Sequence, residues 1–194
     1  MNKFFLFLVF ITEWAILMLE MAAFKMFVPY FGSSLYIWGN IIGIVMIGAS
    51  LGYYFGGRIA DAYPKENLLI KIVFFTGLFI VFIPFLSSFL LFFASGTSYP
   101  VVASFFYGIL LFGLPAFLIE IVPPFIVRLN NKMVETTGKT AGSVYGFSTL
   151  GGVSGVIFSS FFTLPFLGTK ETIFLAGIVL LLCGAFGLLK IKKI

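Results

Sequence analysis

The sequence predicts an all-α fold, a polytopic membrane protein of six transmembrane helices. Three observations predict it. Six long apolar runs fill nearly the whole 194-residue chain, with 61% hydrophobic residues and only short polar segments between the runs. A run of about 18 or more apolar residues is long enough to cross a bilayer, and a soluble domain of this length could not bury six of them. Finally, the basic residues gather on alternate connections, as they do in multi-pass proteins.

The expected spans are 4–29, 35–57, 67–93, 99–127, 142–166 and 172–190. Each should be helical, because backbone groups in lipid must satisfy one another within the segment. A membrane β-barrel would need shorter, alternating segments. The first run is too long for a cleaved signal peptide, and it contains Glu13 and Glu20. The second carries Gly39, Gly43, Gly48, Gly52 and Gly56, and the fifth carries Gly142, Gly146, Gly151 and Gly155. Among these, Gly48, Gly52 and Gly56, and likewise Gly151 and Gly155, recur every four residues. Small residues at that spacing let two helix backbones approach closely, either as fixed seams or as surfaces that slide in a transport cycle. The first and fourth spans each place a carboxylate, Glu20 and Glu120, before a proline-marked end. The chain therefore reads as a single domain over residues 1–194 made of two units of three spans, a 3+3 repeat. The sixth span holds the single Cys183, which has no intrachain partner. The 28 phenylalanines read as lipid-facing bulk.

With a cytoplasmic N-terminus, the inner segments hold Lys3, Arg58, Lys65, Lys71, Arg128, Lys132, Lys139, Lys190, Lys192 and Lys193. The outer edges hold only Lys25 and Lys170. This bias predicts both termini in the cytoplasm and a location in the plasma (cytoplasmic) membrane. The net charge of +5 is then a topology signal, and no nucleic-acid partner is expected.

The outer loops, Pro29–Ser34, Ala94–Ser98 and Gly168–Glu171, and the inner loops, Arg58–Glu66 and Arg128–Ala141, are too short to hold a catalytic domain. There is no histidine, no dinucleotide or P-loop fingerprint and no Cys/His cluster. The run Gly151-Gly152-Val153-Ser154-Gly155 lies inside an apolar span, where helix packing is its expected use. No enzyme activity, cofactor or metal is expected.

The candidate functional residues are the charges inside or beside the spans. Glu13 and Glu20 are seven positions apart and project from nearly one helix face. A carboxylate at that depth costs about 2.5–3.5 kcal/mol on insertion scales, so it needs a proton, a cation, water or a protein partner. The two read either as a cation or proton site or as interhelical hydrogen-bonding groups. Lys25 either reaches the outer interface or neutralises Glu20 or a negative group of a solute. In Gly57-Arg58-Ile59-Ala60-Asp61, Gly57 would permit a tight turn and Asp61 would cap the next helix. Arg58 and Glu120 are expected at similar depth and would form a clasp at the cytoplasmic edge.

This turn, with Lys65 and Leu68, resembles the loop between helices two and three of major facilitator transporters, with Ala62, Tyr63 and Pro64 departing from the pattern. A broader resemblance covers nearly the whole chain. Glu20 with Lys25, Phe31-Gly32-Ser33-Ser34, Trp38, Gly48, Leu51-Gly52 and Gly56 to Asp61 resemble the membrane domain of the fused major-facilitator/spermidine-synthase family. So do Pro123, Arg128, Gly142, Val144-Tyr145, Ser148 to Gly151, Gly155 and Leu164 to Thr169. The resemblance implies a half-size major-facilitator-like bundle. The sequence ends at Ile194 without the aminopropyltransferase-like domain, so no synthase activity is expected. Lys25 stands where the family has arginine, which removes a two-pronged contact.

Two functions follow as expectations. The first is a small transporter-like protein that binds or moves a small cationic or amphipathic solute as a homodimer, a polyamine being suggested by the resemblance. The second is a non-transporting membrane module that docks a soluble aminopropyltransferase-like partner through residues 128–141 and the basic tail.

Overall fold

The computed structural model describes residues 3–94, 96–130 and 136–191, and among them every regular element is helical. Six helices are long and apolar enough to cross a membrane: α1 Lys3–Phe31, α2 Leu35–Ala62, α3 Glu66–Ala94, α4 Pro100–Asn130, α5 Thr137–Phe166 and α6 Thr169–Ile191. They outrun the apolar stretches of the sequence. Polar residues at the ends continue the helix because, once it is formed, each added residue gains a hydrogen bond that offsets most of the cost of ordering it.

Turns form where the helix can no longer propagate. Gly32 at φ 82° and Gly168 at φ 102° take left-handed backbone that a side chain would strain. Ser34 caps α2, its hydroxyl accepting from the Ile37 N–H at 3.3 Å. At the opposite end of the bundle the expected turn at Gly57 is displaced. Helix α2 runs through Gly57, Arg58 and Asp61, and the chain reverses over Tyr63-Pro64-Lys65. Proline sets that point, since it disfavours helical backbone at the residue before it. Gly57 is thus an ordinary helical residue, and Asp61 is no cap for α3.

Helices α4 and α5 are not regular. Each contains a five-residue π-helical turn, Ile109–Gly113 and Ser159–Thr163, followed directly by Leu-Pro. Pro115 and Pro165 have no N–H to offer and would crowd the carbonyls of Leu111 and Phe161, which lie inside the widened turns. A second interruption falls at Glu120–Ile121, after which the helix resumes over Val122–Asn130. Pro123 and Pro124 cause it, because the carbonyls of Ile119 and Glu120 lose their usual N–H partners.

Helix α1 packs on α5 and α6, α2 on α4, and α3 on α6. Glycine sets the closest approaches. A Cβ on Gly48, Gly52 or Gly56 would meet Ala116, Glu120 or Ile121 of α4 at 2.7, 2.7 and 2.8 Å. One on Gly151 or Gly155 would run into the carbonyls of Phe10 and Trp14. The α3–α6 seam rests on four glycines that the four-residue repeat does not single out. Gly77 meets the backbone of Gly177 and Leu181, Gly184 meets Phe74, and Gly187 meets Ile70. Asn40 ties α2 to α4, donating to the Val101 carbonyl and the Ser104 hydroxyl at 2.8 Å each. Large apolar side chains cover the outside, among them Phe75, Phe82, Phe85, Phe161 and Phe186, as suits contact with lipid.

Candidate functional site

Most buried polar side chains in this bundle are hydroxyls satisfied by their own helix. Thr12 donates to the Val9 carbonyl at 3.0 Å, Thr76 to Ile72 at 2.8 Å, Ser159 to Val156 at 3.0 Å and Thr172 to Gly168 at 2.6 Å. A hydroxyl can do this because it donates, whereas an ionised carboxylate only accepts and finds no free donor on a helix wall. Two carboxylates are nevertheless buried: Glu13 is 5% exposed and Glu120 is 4% exposed. One oxygen of each, Glu13 Oε1 and Glu120 Oε2, has no hydrogen-bond partner, and neither has the Thr163 hydroxyl in the α5 π-turn.

Glu13 and Glu120 lie beside each other. Both stand about 15 Å from the end of a helix of about 45 Å, at about 1.5 Å per residue, which puts them about a third of the way in from the Arg58 side. The path of α4 explains the position of Glu120. Gly52 of α2 has no side chain, so Glu120 fits against it, and the break before Pro123 lets the chain turn its carboxylate inward. Tyr53 approaches Glu120, Ser148 approaches Glu13, and the rings of Tyr53 and Tyr145 meet edge to face at 6.3 Å.

A cavity of about 440 Å³ opens beside Glu13, between α1, α2 and α5. Tyr53, Ser148 and Thr149 give it polar atoms, and Leu17, Val153, Val156 and Ile157 give it apolar walls. Gly152 adds no side chain to its wall, and a Cβ there would sit in ordinary contact with Leu17 at 3.4 Å. Glu120, beside Glu13, does not itself line the cavity, but the Glu13 carboxylate, the Tyr53 phenol, two hydroxyls and the apolar walls can hold a proton or a cation and an attached hydrocarbon part. No group of three or more His, Cys, Asp or Glu suited to a metal occurs among the described residues.

No family model, no curated protein and no solved structure matches this chain.

The structure therefore locates each candidate by geometry alone. Glu20 is half-buried on the Glu13 side of α1 but lies two turns farther along and does not line the cavity. Lys25 is exposed at the α1 end and lines a separate pocket with Lys170. The Arg58–Glu120 clasp is not formed. Arg58 stacks over the Tyr54 ring at 4.2 Å, and Asp61 pairs with Arg128 at 2.6 Å. The reason is depth: Glu120 packs at Gly52, about 9 Å inward of Arg58 along α2. The sequence does not mark Tyr53, and Tyr145 and Ser148 enter it only as residues of the family resemblance. The signal available was Glu120 with two prolines three and four residues later, a carboxylate at a helix break. Of the expected docking surface, residues 131–135 and the tail 192–194, with Lys132, Lys192 and Lys193, lie outside the described residues.

Proposed function

We propose that this protein binds a small cationic or amphipathic solute within the membrane and moves it across, with Glu13 and Glu120 as counter-charges. The observation that carries the reading is the pair of buried carboxylates, each with an unpartnered oxygen, one of which, Glu13, lines a cavity with polar and apolar walls. Buried charges persist at such depth when they serve an ion or proton path, because as structural groups they are costly. The broken α4 supports the same reading. Interrupted helices within a membrane offer freed carbonyls to a cation, here those of Ile119 and Glu120.

A half-size major-facilitator-like bundle with a 3+3 repeat is part of this proposal. Its support is the packing plan: exchanging α1 with α4, α2 with α5 and α3 with α6 maps the α1–α5 contact onto α4–α2 and leaves α3–α6 in place. The cavity is open on the side where Tyr53, Val153 and Ile157 face out of the bundle. A second copy closing that side would make a homodimer with a central solute path. A polyamine is the first solute to try, on the family resemblance of the sequence. The charge bias favours both termini in the cytoplasm, and a plasma-membrane location is part of the proposal.

The test is uptake of radiolabelled spermidine, choline and potassium into proteoliposomes. The proposal expects uptake of one of them by the wild type and its loss in Glu13→Gln and Glu120→Gln. Absence of uptake together with a soluble protein retained through purification would replace transport by the docking role.

A further inference from the structure

The two basic residues on the sparsely charged side of the bundle, Lys25 and Lys170, come from opposite ends of the sequence and meet in one place. They line a pocket of about 180 Å³ between the ends of α1, α3 and α6, together with the hydroxyl residues Ser87, Ser88 and Thr169. Like charges repel, and convergence of two ammonium groups is unfavourable without an anion between them. No carboxylate lies within ion-pair distance of either lysine among the described residues, where the ion pair formed is Arg128–Asp61. Lys170 is held in place, its Nζ donating to the Ser88 hydroxyl at 2.8 Å, and that hydroxyl donates to the Pro84 carbonyl at 2.9 Å.

Below this pocket runs a larger groove of about 520 Å³ between α3 and α6, and the two share Ser88 and Lys170. Its existence follows from the seam beneath it. The helices touch backbone to backbone at Gly77, Gly177 and Gly184, then separate where Pro84, Phe85 and Phe174 replace glycine. The groove walls are almost wholly apolar. The acid on its rim, Glu171, turns back over Gly168 at the start of α6.

We infer that this composite is a binding site for one anionic phospholipid from the leaflet on the Lys25 side, its phosphate between Lys25 and Lys170 and an acyl chain in the α3–α6 groove. Charge complementarity selects the head and continuity with the groove selects the tail. A zwitterionic lipid brings its own cation to the lysines, and a free phosphate leaves the groove unused. The site is separate from Glu13 and Glu120 and does not depend on the transport reading.

Native mass spectrometry on detergent-purified protein tests it, with palmitoyl-oleoyl phosphatidylglycerol, the matching phosphatidylcholine and inorganic phosphate as probes. The wild type is expected to retain one phosphatidylglycerol in preference to phosphatidylcholine, with millimolar phosphate failing to displace it. The double change Lys25→Gln with Lys170→Gln should weaken retention on the order of 30-fold, from two lysine–lipid attractions. Lys25→Arg with Lys170→Arg should keep the lipid, and Ile178→Trp, which fills the groove, should lose it with both lysines intact. Equal retention of both lipids, or retention unchanged in the double Gln and Ile178→Trp variants, overturns the site in favour of ordinary lipid contact. Displacement by phosphate overturns the lipid assignment in favour of a free anion.

Discussion

Glu13 of α1 and Glu120 of α4 lie side by side inside the bundle, each with one carboxylate oxygen that no described protein group satisfies. An arrangement kept for fold alone would pair those oxygens, so the pair should be a place where stability is given up for function. Glu120→Gln is therefore expected to raise the apparent melting temperature in detergent by about 2–8 °C, from about 1–2 kcal/mol of relieved repulsion and desolvation. Differential scanning fluorimetry checks this. A drop of similar size would mean that the carboxylates hold the helices together.

The α1–α5 seam should respond to a single carbon. A methyl at Gly155 would run into the Trp14 carbonyl, which cannot move without shifting α1. Gly155→Ala should cost about 1–3 kcal/mol. Gly146, on the same helix, has open space at its Cβ position. Gly146→Ala should be neutral or stabilising by up to about 1 kcal/mol, because alanine is the better helix former. Equal effects of the two changes would refute the seam.

At the membrane edge, Asp61 and Arg128 form a pair with side chains 72% and 48% exposed. Solvent screens such a pair, so a double-mutant cycle of Asp61→Asn and Arg128→Gln should return a coupling of about 0.2–1 kcal/mol. The same cycle on Arg58 and Glu120 should return none, since Arg58 rests on Tyr54.

The charge bias also makes a prediction about orientation. In a Cys183→Ala background, single cysteines at Ser33 and Thr97 should react with an impermeant maleimide from outside the cell. A cysteine at Glu66 should react only after the membrane is opened. The reverse pattern would invert the topology.

The six helices were legible because length and apolarity alone decide them, and the seams at Gly48, Gly52, Gly56, Gly151 and Gly155 because a four-residue repeat marks one helix face. The α3–α6 seam was less visible: Gly177, Gly184 and Gly187 share a face but are unevenly spaced, and Gly77 stands alone on α3. The partner of Glu13 was not legible at all. Seven-residue spacing puts Glu20 on the same side of α1, but the group that approaches Glu13 comes from another helix. Its placement depends on how closely α2 lets α4 come at Gly52 and on the break that Pro123 and Pro124 impose. The clasp at Arg58 failed for a related reason: α2 runs on to Ala62, so sequence distance from the loop misjudged the depth of Glu120.

The most direct test of the central claim is a thermal-shift screen of the purified protein with spermidine, spermine, choline, potassium and sodium, repeated on Glu13→Gln and Glu120→Gln. The account predicts that at least one cation, at about 100 times its dissociation constant, stabilises the wild type by about 2.7 kcal/mol, or roughly 5–10 °C. Both variants should lose that shift while unfolding as cooperatively as the wild type without ligand. A cation that stabilises all three proteins equally, or a panel in which no cation stabilises the wild type, would contradict a cation site at Glu13 and Glu120.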